Sequence, residues 1–373
     1  MNLADMLSYA DIFELTRIAR KYNCECSGNS KNQLIQSILT TVGRRDVLEK
    51  QVMELTVEET RLLNSLVSDR RDSFSLEELV ARVKQTRFPV QGAPLEDCNP
   101  REAIGEFKQR GWLFNGYSQQ TKYLFHIPVD LKKRFSDTLN KRFLQQIEVV
   151  PHEPSIYREE QGLIEDDIIH FLAFVQKQNI QLSTEGFMYK RILQLAMESL
   201  TITEQLVTKT AWRFGYGRRF KEYPNRFSFI YDYCFFYDYI VEDNDLLTIT
   251  ELGKARLLSG KKEDLVQIYR FWLRLYKGAI PNLQSIVQWI ERLSTSWVTR
   301  ESLMEEMCKL IKPFYYDAPE SIFEQRILQI MLHLGLLRIG NHDQFGKVLQ
   351  INKLGSSVIK GTYSKEMERI KLI

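Results

Sequence analysis

The sequence lacks several features that would place it in a special class of protein. No apolar run in its 373 residues approaches the length of about 18–20 that crosses a bilayer, so no membrane partner is expected. Residues 1–15 contain acidic side chains but no lysine or arginine, and so they lack the basic start of a secretory signal. Cysteine is scarce: five residues, an odd number, predict free thiols in a reducing compartment. These absences predict a cytoplasmic protein.

The residue patterns of common catalytic and metal centres are missing as well. The five histidines are scattered, and Cys24 and Cys26 form a pair without the further ligands that tetrahedral zinc requires. No G-x-x-x-x-G-K-[ST] loop, which cradles nucleotide phosphates, occurs anywhere in the chain. We therefore expect no catalytic residue, no metal and no cofactor. An active site of an unrecognised kind remains as the remote alternative.

The chain does contain enough apolar sequence for packed cores, together with an almost balanced charge. Hydrophobic residues make up 44% and aromatic residues 12%, which excludes disorder of the whole chain. Lysine and arginine number 51 against 48 acidic residues, so the formal net charge is +3. This balance excludes a histone-like polycation, but it allows local basic patches.

Periodicity predicts helices over most of the length, with short strands near the domain ends. In residues 46–145, the capping boxes TVEE at 56–59 and SLEE at 75–78 each precede a helical apolar pattern. A third helix begins at the Asn-Pro of 99–100, and the Asn-Gly turn at 115–116 separates two short apolar runs. Three helices followed by a two-stranded hairpin are the order of a winged helix.

A strand that runs into a glycine-containing segment recurs along the chain. LLTITELG ends at Gly253, VLQINKLG ends at Gly355, and residues 123–131 are a looser version. These recurrences predict three winged-helix-like units that end near residues 145, 260 and 360. A further capping box, TITE, is predicted at 201–204.

The predicted fold is mainly α: a small N-terminal helical module followed by tandem winged-helix-like domains with small β-hairpin wings. The predicted domains are 1–45, 46–145, 160–260 and 261–373. Polar sequence interrupted by prolines and a glycine predicts a linker at 146–162.

Two helical patterns in residues 1–45 are separated by a short loop. The apolar positions of these two patterns are Leu15, Ile18, Ala19 and Tyr22, then Leu34, Ile35 and Ile38. This arrangement resembles the SAP motif and the related N-terminal helical module of the transcription terminator Rho. The resemblance implies that a turn of small residues and the lysine at the start of the second helix contact nucleic acid. Those positions are Ser27, Gly28, Ser30 and Lys31. Cys24 and Cys26 depart from the family, which prefers a glycine and an aliphatic residue there.

Residues 160–360 resemble a second family. The segment LSTEGFMYKR at 182–191 and the strand–glycine units at Gly253 and Gly355 are similar to the helicase-associated N-terminal region of relatives of the TFIIH repair helicase. The resemblance implies an accessory role beside a replication, repair or transcription protein. The chain itself contains no helicase motor.

Two basic stretches are the candidate contacts with nucleic acid. Residues 209–227 contain six cations and one carboxylate, interleaved with aromatic rings that are able to stack on bases. Gly215 and Gly217 predict a flexible centre there. Residues 101–142 contain nine cations and four carboxylates. The candidate cations beyond Lys31 are Arg44, Arg45, Arg101, Lys108, Lys122, Arg213, Arg218, Arg219, Lys221 and Arg226.

These patterns predict a non-enzymatic protein that holds the phosphate backbone of DNA, or of RNA, through basic patches. The alternative is a protein-interaction scaffold without direct nucleic-acid contact. Glu102 and Glu106 favour the scaffold, because they place carboxylates on the third helix of the first winged-helix-like unit. The helices near 228–240 and 320–334 are apolar on several sides and are predicted to be buried against protein. The rings of 209–227 fit a packed core as well as they fit a stacking surface.

Overall fold

A computed structural model of the chain describes residues 1–24, 30–89, 99–207 and 216–362. The chain is mainly α-helical with small antiparallel sheets, as the sequence predicts. It divides into two compact units, which we call unit 1 (Met1–Gln146) and unit 2 (Ile147–Ile373). The finer division into four domains stays a prediction.

Unit 1 is built from helices around one three-stranded sheet. Its helices are α1 (Leu3–Tyr9), α2 (Ile12–Lys21), α3 (Lys31–Val42), α4 (Arg45–Met53), α5 (Val57–Val67), α6 (Leu76–Thr86), α7 (Pro100–Gln109) and α8 (Val129–Leu144). Its strands are β1 (Ser73–Ser75), β2 (Phe114–Asn115) and β3 (Leu124–His126), in the sheet order β1-β3-β2. The capping boxes of α5 and α6 are confirmed. Thr56 and Ser75 each accept the N–H three residues on, and Glu59 and Glu78 accept the N–H of those capping residues.

The core of unit 1 joins α7 and α8 around Trp112. The ring of Trp112 lies 5.3 Å from that of Phe107 and 4.8 Å from that of Phe135, and all three side chains are buried. The N-terminal helices pack on the same body, because the hydroxyl of Tyr22 lies 2.8 Å from the carbonyl oxygen of Arg110. Burial raises the pKa of Tyr22 to about 12, so this hydroxyl stays protonated as a donor.

Unit 2 contains two further small sheets. Its helices are α9 (Leu163–Lys177), α10 (Lys190–Glu198), α11 (Asn225–Phe236), α12 (Glu251–Leu258), α13 (Leu265–Tyr276), α14 (Leu283–Leu293), α15 (Arg300–Cys308), α16 (Pro319–Ser321), a π-helix (Ile322–Leu328), α17 (Gln329–His333) and α18 (Lys353–Thr362). Its strands are β4 (Ile156–Glu159), β5 (Ile180–Gln181), β6 (Ile240–Asp243), β7 (Leu246–Ile249), β8 (Val298–Thr299), β9 (Leu337–His342) and β10 (Gly346–Ile351). The sheet orders are β5-β7-β6 and β4-β9-β10-β8.

One order of elements occurs three times in the chain: helix, strand, two helices, two strands and a closing helix. The first repeat runs from α5 to α8, the second from α9 to α12 and the third from α14 to α18, where α16, the π-helix and α17 form one continuous helical segment. In each repeat the last strand pairs with the other two and is therefore central: β3, β7 and β10. The sequence recurrence thus corresponds to a recurrence of topology.

The recurring glycine allows the closing helix to approach the chain closely. A Cβ atom added to Gly253 in α12 would lie less than 3.0 Å from the carbonyl oxygen of Tyr239, and one added to Gly355 in α18 would overlap the carbonyl of Leu336 in the same way. Tyr239 and Leu336 directly precede the first strand of each hairpin. A side chain cannot fit at either contact, so glycine is required there.

The predicted linker at 146–162 is wrong. Residues 156–159 form β4, which pairs antiparallel with β9 in the register Tyr157 to Gly340. Val149 forms an isolated bridge with Val298. The backbone of β4 pairs with a strand that lies about 180 residues further along the chain, and such a distant partner leaves no local pattern in the sequence.

The predicted capping box at 201–204 is also wrong, because residues 201–207 form no helix. The carboxylate of Glu204 instead accepts the N–H of Arg226 at 3.1 Å and that of Phe227 at 2.9 Å, both in the first turn of α11. The residue that precedes this helix is Pro224, whose side chain has no acceptor. Glu204 therefore caps a helix that starts 21 residues later in the sequence.

Candidate nucleic-acid interface

Arg226 lies in the interior of unit 2 and does not reach the surface. Its Nη2 and Nε atoms donate to Asp167 Oδ2 at 2.6 and 3.2 Å. Its Nη1 donates to Glu160 Oε2 and to the carbonyl oxygen of His333, both at 3.1 Å. Because this side chain is completely buried between carboxylates, the prediction that Arg226 contacts nucleic acid is wrong. Its partners lie about 60 or more residues away in sequence, so a local charge count does not reveal them.

Arg218 and Arg219 share one carboxylate of β6. Their Nη2 atoms lie 3.0 and 2.7 Å from Glu242 Oε2, and the guanidinium of Arg218 also lies 3.9 Å from the centre of the Phe235 ring. Both side chains are mostly buried. The structure therefore does not gather these two arginines on an open basic surface, whereas Lys221 is exposed. Arg213 lies outside the described residues.

The described aromatic residues of the 209–227 stretch belong largely to the core. Tyr216, Tyr223 and Phe227 are buried, and the hydroxyl oxygen of Tyr223 accepts the N–H of Met188 at 2.8 Å. Rings in these positions are not available to bases, so the described part of this stretch packs largely against protein.

Gly217 is a packing residue, and the predicted flexible centre is wrong at this position. A Cβ atom there would overlap the carboxylate of Asp232, which accepts the N–H of Arg218 at 3.1 Å. Burial raises the pKa of Asp232 to about 7. A buried carboxyl in contact with the backbone fixes this segment. Gly215 lies outside the described residues.

Arg44 and Arg45 lie at the start of α4 and are already paired. Arg44 Nη2 is 2.6 Å from Asp46 Oδ2, and Arg45 Nε is 2.8 Å from Glu49 Oε1. The hydrogen bond from Arg44 lowers the pKa of Asp46. These exposed pairs reduce the local positive charge, so Arg44 and Arg45 offer less to a phosphate than their sequence suggests.

Three predicted cations of unit 1 come together around the hairpin. Lys108 Nζ donates to Asn115 Oδ1 at 2.6 Å, and the side-chain amide of Asn115 donates to the carbonyl oxygen of Lys122 at 3.2 Å. Lys31 Nζ donates to the carbonyl oxygen of Ser8 at 2.8 Å. Ser8 precedes Tyr9, whose ring packs on the hairpin, so these contacts join all three lysines to one surface.

Exposed aromatic rings lie on the same surface. Tyr9 of α1 stacks on Tyr117 of the hairpin loop with a distance of 4.6 Å between the ring centres. Tyr123, in the same loop, is 72% exposed, and Lys122 Nζ lies 4.9 Å from its ring centre. We call this set the wing surface. Its members are Tyr9, Lys31, Lys108, Tyr117, Lys122 and Tyr123.

Part of the positive charge of the wing surface is not neutralised. Within the described part of the chain, neither Lys31 nor Lys122 has a carboxylate at ion-pair distance, while Lys108 lies 3.5 Å from Glu14. Arg101, which is also on α7, is exposed. It lies seven residues before Lys108, a spacing of about two helical turns, so the two side chains share one face of the helix.

Helix α7 is the third helix of the first repeat, and α2 packs beside it. Lys21 Nζ on α2 lies 2.9 Å from Glu106 Oε2 on α7, and Glu14 on α2 is the residue close to Lys108. The exposed part of α7 is therefore flanked by another helix and carries carboxylates. It is poorly suited to enter a DNA groove.

The N-terminal positions implied by the SAP resemblance are described in part. Ser30 is the N-cap residue of α3, but its side chain makes no capping hydrogen bond, and Lys31 is the first helical residue. Ser27 and Gly28 lie outside the described residues.

The sequence analysis does not identify Tyr9 and Tyr117, because helical and strand periodicity assigns aromatic rings to the core. The usable signal was a tyrosine directly after an Asn-Gly turn, where a side chain is seldom buried.

Within residues 1–24, 30–89, 99–207 and 216–362, no group of three or more His, Cys, Asp or Glu side chains is arranged to hold a metal ion. In the same ranges, no helix combines the length and the apolar character needed to span a bilayer. Comparison with protein-family models, with curated proteins and with solved structures finds no match for this chain.

Proposed function

We propose that this chain is a non-enzymatic, cytoplasmic nucleic-acid-binding protein that uses the wing surface of unit 1. The observation that carries the proposal is the convergence of Lys31, Lys108 and Lys122 beside exposed rings. Lysines without full carboxylate compensation bind phosphates, and the rings add contacts that a purely electrostatic patch lacks. In this proposal DNA is preferred to RNA, and the protein serves a replication, repair or transcription machine.

We interpret the three repeats as winged-helix domains and the N-terminal helices as a SAP-like module. The order of elements in the three repeats, with the last strand central, supports winged-helix domains. The packing of α2 on α3, with Lys31 at the start of the second of these helices, supports a SAP-like module. Lys31 belongs to the SAP-like module and Lys122 to the hairpin, so the proposed binding surface combines the two.

The first test removes the three lysines together, as Lys31→Gln, Lys108→Gln and Lys122→Gln. We expect the affinity of the full chain for a labelled oligonucleotide at low salt to fall by about tenfold or more. The slope of log K against log salt should become shallower by about 2–3, since each of the three lost phosphate contacts contributes roughly 0.7–0.9. Fluorescence anisotropy at several salt concentrations measures both quantities.

The matched control carries the same change of charge on unit 2, as Lys254→Gln, Lys261→Gln and Lys262→Gln. This control should keep the wild-type affinity and salt slope. Equal losses in the two triple variants would show that net charge alone drives binding, and the wing surface would then have no special role. Absence of salt-dependent binding by the wild-type chain would refute the proposed function.

A second candidate function is a protein-interaction scaffold, and it is supported by packing in unit 2 that keeps two helices out of any nucleic-acid groove. Asn225 on α11 donates from Nδ2 to Gln329 Oε1 on α17 at 3.3 Å, and Arg326 Nη1 donates to Asn225 Oδ1 at 3.0 Å. The third helices of two repeats thus contact each other within the chain. Helices used in this way are not available to nucleic acid.

The scaffold hypothesis predicts capture of one partner at a stoichiometric level by the full chain after nuclease treatment. Capture should be unchanged by the triple lysine substitution in unit 1, because that variant removes only the proposed nucleic-acid contacts. Quantitative mass spectrometry of the captured material makes the measurement. Capture that disappears with nuclease treatment would mean that nucleic acid bridges the two proteins, and the scaffold hypothesis would be abandoned.

A further inference from the structure

The wing surface presents flat aromatic faces to solvent, and we infer that it binds single-stranded nucleic acid by stacking unpaired bases on the Tyr9–Tyr117 pair and on Tyr123. The inference rests on the proposed function and adds the class of ligand.

The Tyr9–Tyr117 pair is already a stack. The two ring centres are 4.6 Å apart and the planes meet at 21°, close to the parallel arrangement in which bases stack on one another. The residues remain 62% and 60% exposed in spite of this contact. Each ring uses one face for its partner, so the opposite face is the place where a base continues the stack.

Tyr123 combines a ring with a neighbouring charge. The ring has Lys122 Nζ at 4.9 Å from its centre, and this lysine has no carboxylate at ion-pair distance in the described part of the chain. Every nucleotide of a single strand offers one base that can stack and one phosphate. A ring next to an uncompensated cation matches that pairing, whereas a purely apolar partner would gain nothing from the lysines.

Duplex DNA fits this surface less well. The faces of its bases are covered by the neighbouring base pairs, so the rings can reach them only at an end. Reading the edges of bases would require α7 to enter the major groove, and α2 lies alongside that helix through the ion pair of Lys21 with Glu106. A single strand needs no groove, because its bases turn outward to meet the rings.

The experiment compares three labelled ligands on the full wild-type chain by fluorescence anisotropy. They are an oligothymidylate of about 15 nucleotides, an abasic oligomer with the same number of phosphates, and a duplex of the same length. We expect the oligothymidylate to bind about tenfold or more tightly than the abasic oligomer, because only the former has bases to stack. The duplex should not bind more tightly than the oligothymidylate.

Substitutions at one ring provide the second arm. Tyr117→Leu should weaken oligothymidylate binding by about tenfold and leave abasic binding unchanged, while Tyr117→Phe, which keeps the ring, should bind as wild type. Tyr189→Leu is the control, since Tyr189 is an exposed tyrosine of unit 2. Equal binding of abasic and thymidylate oligomers by the wild type would overturn the stacking inference while leaving the proposed function intact. Absence of salt-dependent binding to every ligand would overturn both.

Discussion

Replacing Arg226 by glutamine is expected to lower the free energy of unfolding of unit 2 by about 3–5 kcal/mol. The guanidinium lies between Asp167 and Glu160 and is shielded from water. Its loss leaves the buried Asp167 without this guanidinium, while Glu160 keeps Arg158 and His333 beside it. Removing one partner of a buried ion pair costs more than the pair contributes, because the remaining charges stay desolvated. Among the substitutions considered, this one has the largest expected effect.

Hydrogen exchange followed by mass spectrometry suits this test, because peptides from unit 1 serve as an internal reference in the same sample. Lys221→Gln is the matched control: it removes the same charge five residues earlier, from an exposed side chain, and should change stability by no more than about 0.5 kcal/mol. Similar protection of the α9 and α11 peptides in the two variants would contradict the role given to Arg226.

The same site predicts how the difference in unfolding free energy between wild type and Arg226→Gln depends on pH. Burial alone would raise the pKa of Glu160, but the hydrogen bond with His333 and the charges of His333 and Arg226 outweigh burial and hold the pKa below its ordinary value of 4.5. A carboxyl with a lowered pKa stabilises the fold above its ordinary pKa, and this contribution is lost as the pH falls through the folded value. The difference in free energy of unfolding between wild type and Arg226→Gln should therefore become smaller below about pH 4.5.

Replacing Gly355 by alanine is expected to lower the free energy of unfolding of unit 2 by about 3 kcal/mol. The added methyl group would overlap the carbonyl of Leu336, which is backbone and cannot rotate away as a flexible side chain does. Helix α18 would have to shift away from the start of β9. Gly253→Ala should act in the same way, through the carbonyl of Tyr239.

The control for Gly355 lies in the same helix. Gly361 has open space where a Cβ atom would be placed, so Gly361→Ala should be neutral or should stabilise by about 0.4–1 kcal/mol through reduced freedom of the unfolded chain. Chemical denaturation of the two variants in parallel makes the comparison. Equal stability of Gly355→Ala and Gly361→Ala would show that α18 can adjust at no cost.

Features that depend on neighbours in sequence were predictable. The capping boxes at Thr56 and Ser75 are confirmed, since each joins residues three apart. The glycine that recurs at 253 and 355 marked a true structural repeat, although only the structure shows that a backbone carbonyl demands it. The burial of α11 followed from rings on every side of the helix.

Features that depend on distant partners were not predictable from one sequence. The cationic neighbours of Arg226 in sequence predict a basic surface, whereas its ion-pair partners are Glu160, just before α9, and Asp167, within α9. Glu204 looked like part of a local capping box and caps α11 instead. The wing surface has the same property. The sequence predicts Lys31, Lys108 and Lys122 as separate candidates, and only the structure shows the contact between Tyr9 and Tyr117 that links them.

The pairing of β4 with β9 has a consequence for dissecting the protein. Strand β4 precedes the second repeat in the chain but completes the sheet of the third, so the second repeat is an insertion within its neighbour. A fragment that starts at residue 261 would leave one side of β9 uncovered and open to pairing with other molecules. A piece that keeps all four strands of this sheet must therefore contain residues 156–351, so the second and third repeats have to be expressed together.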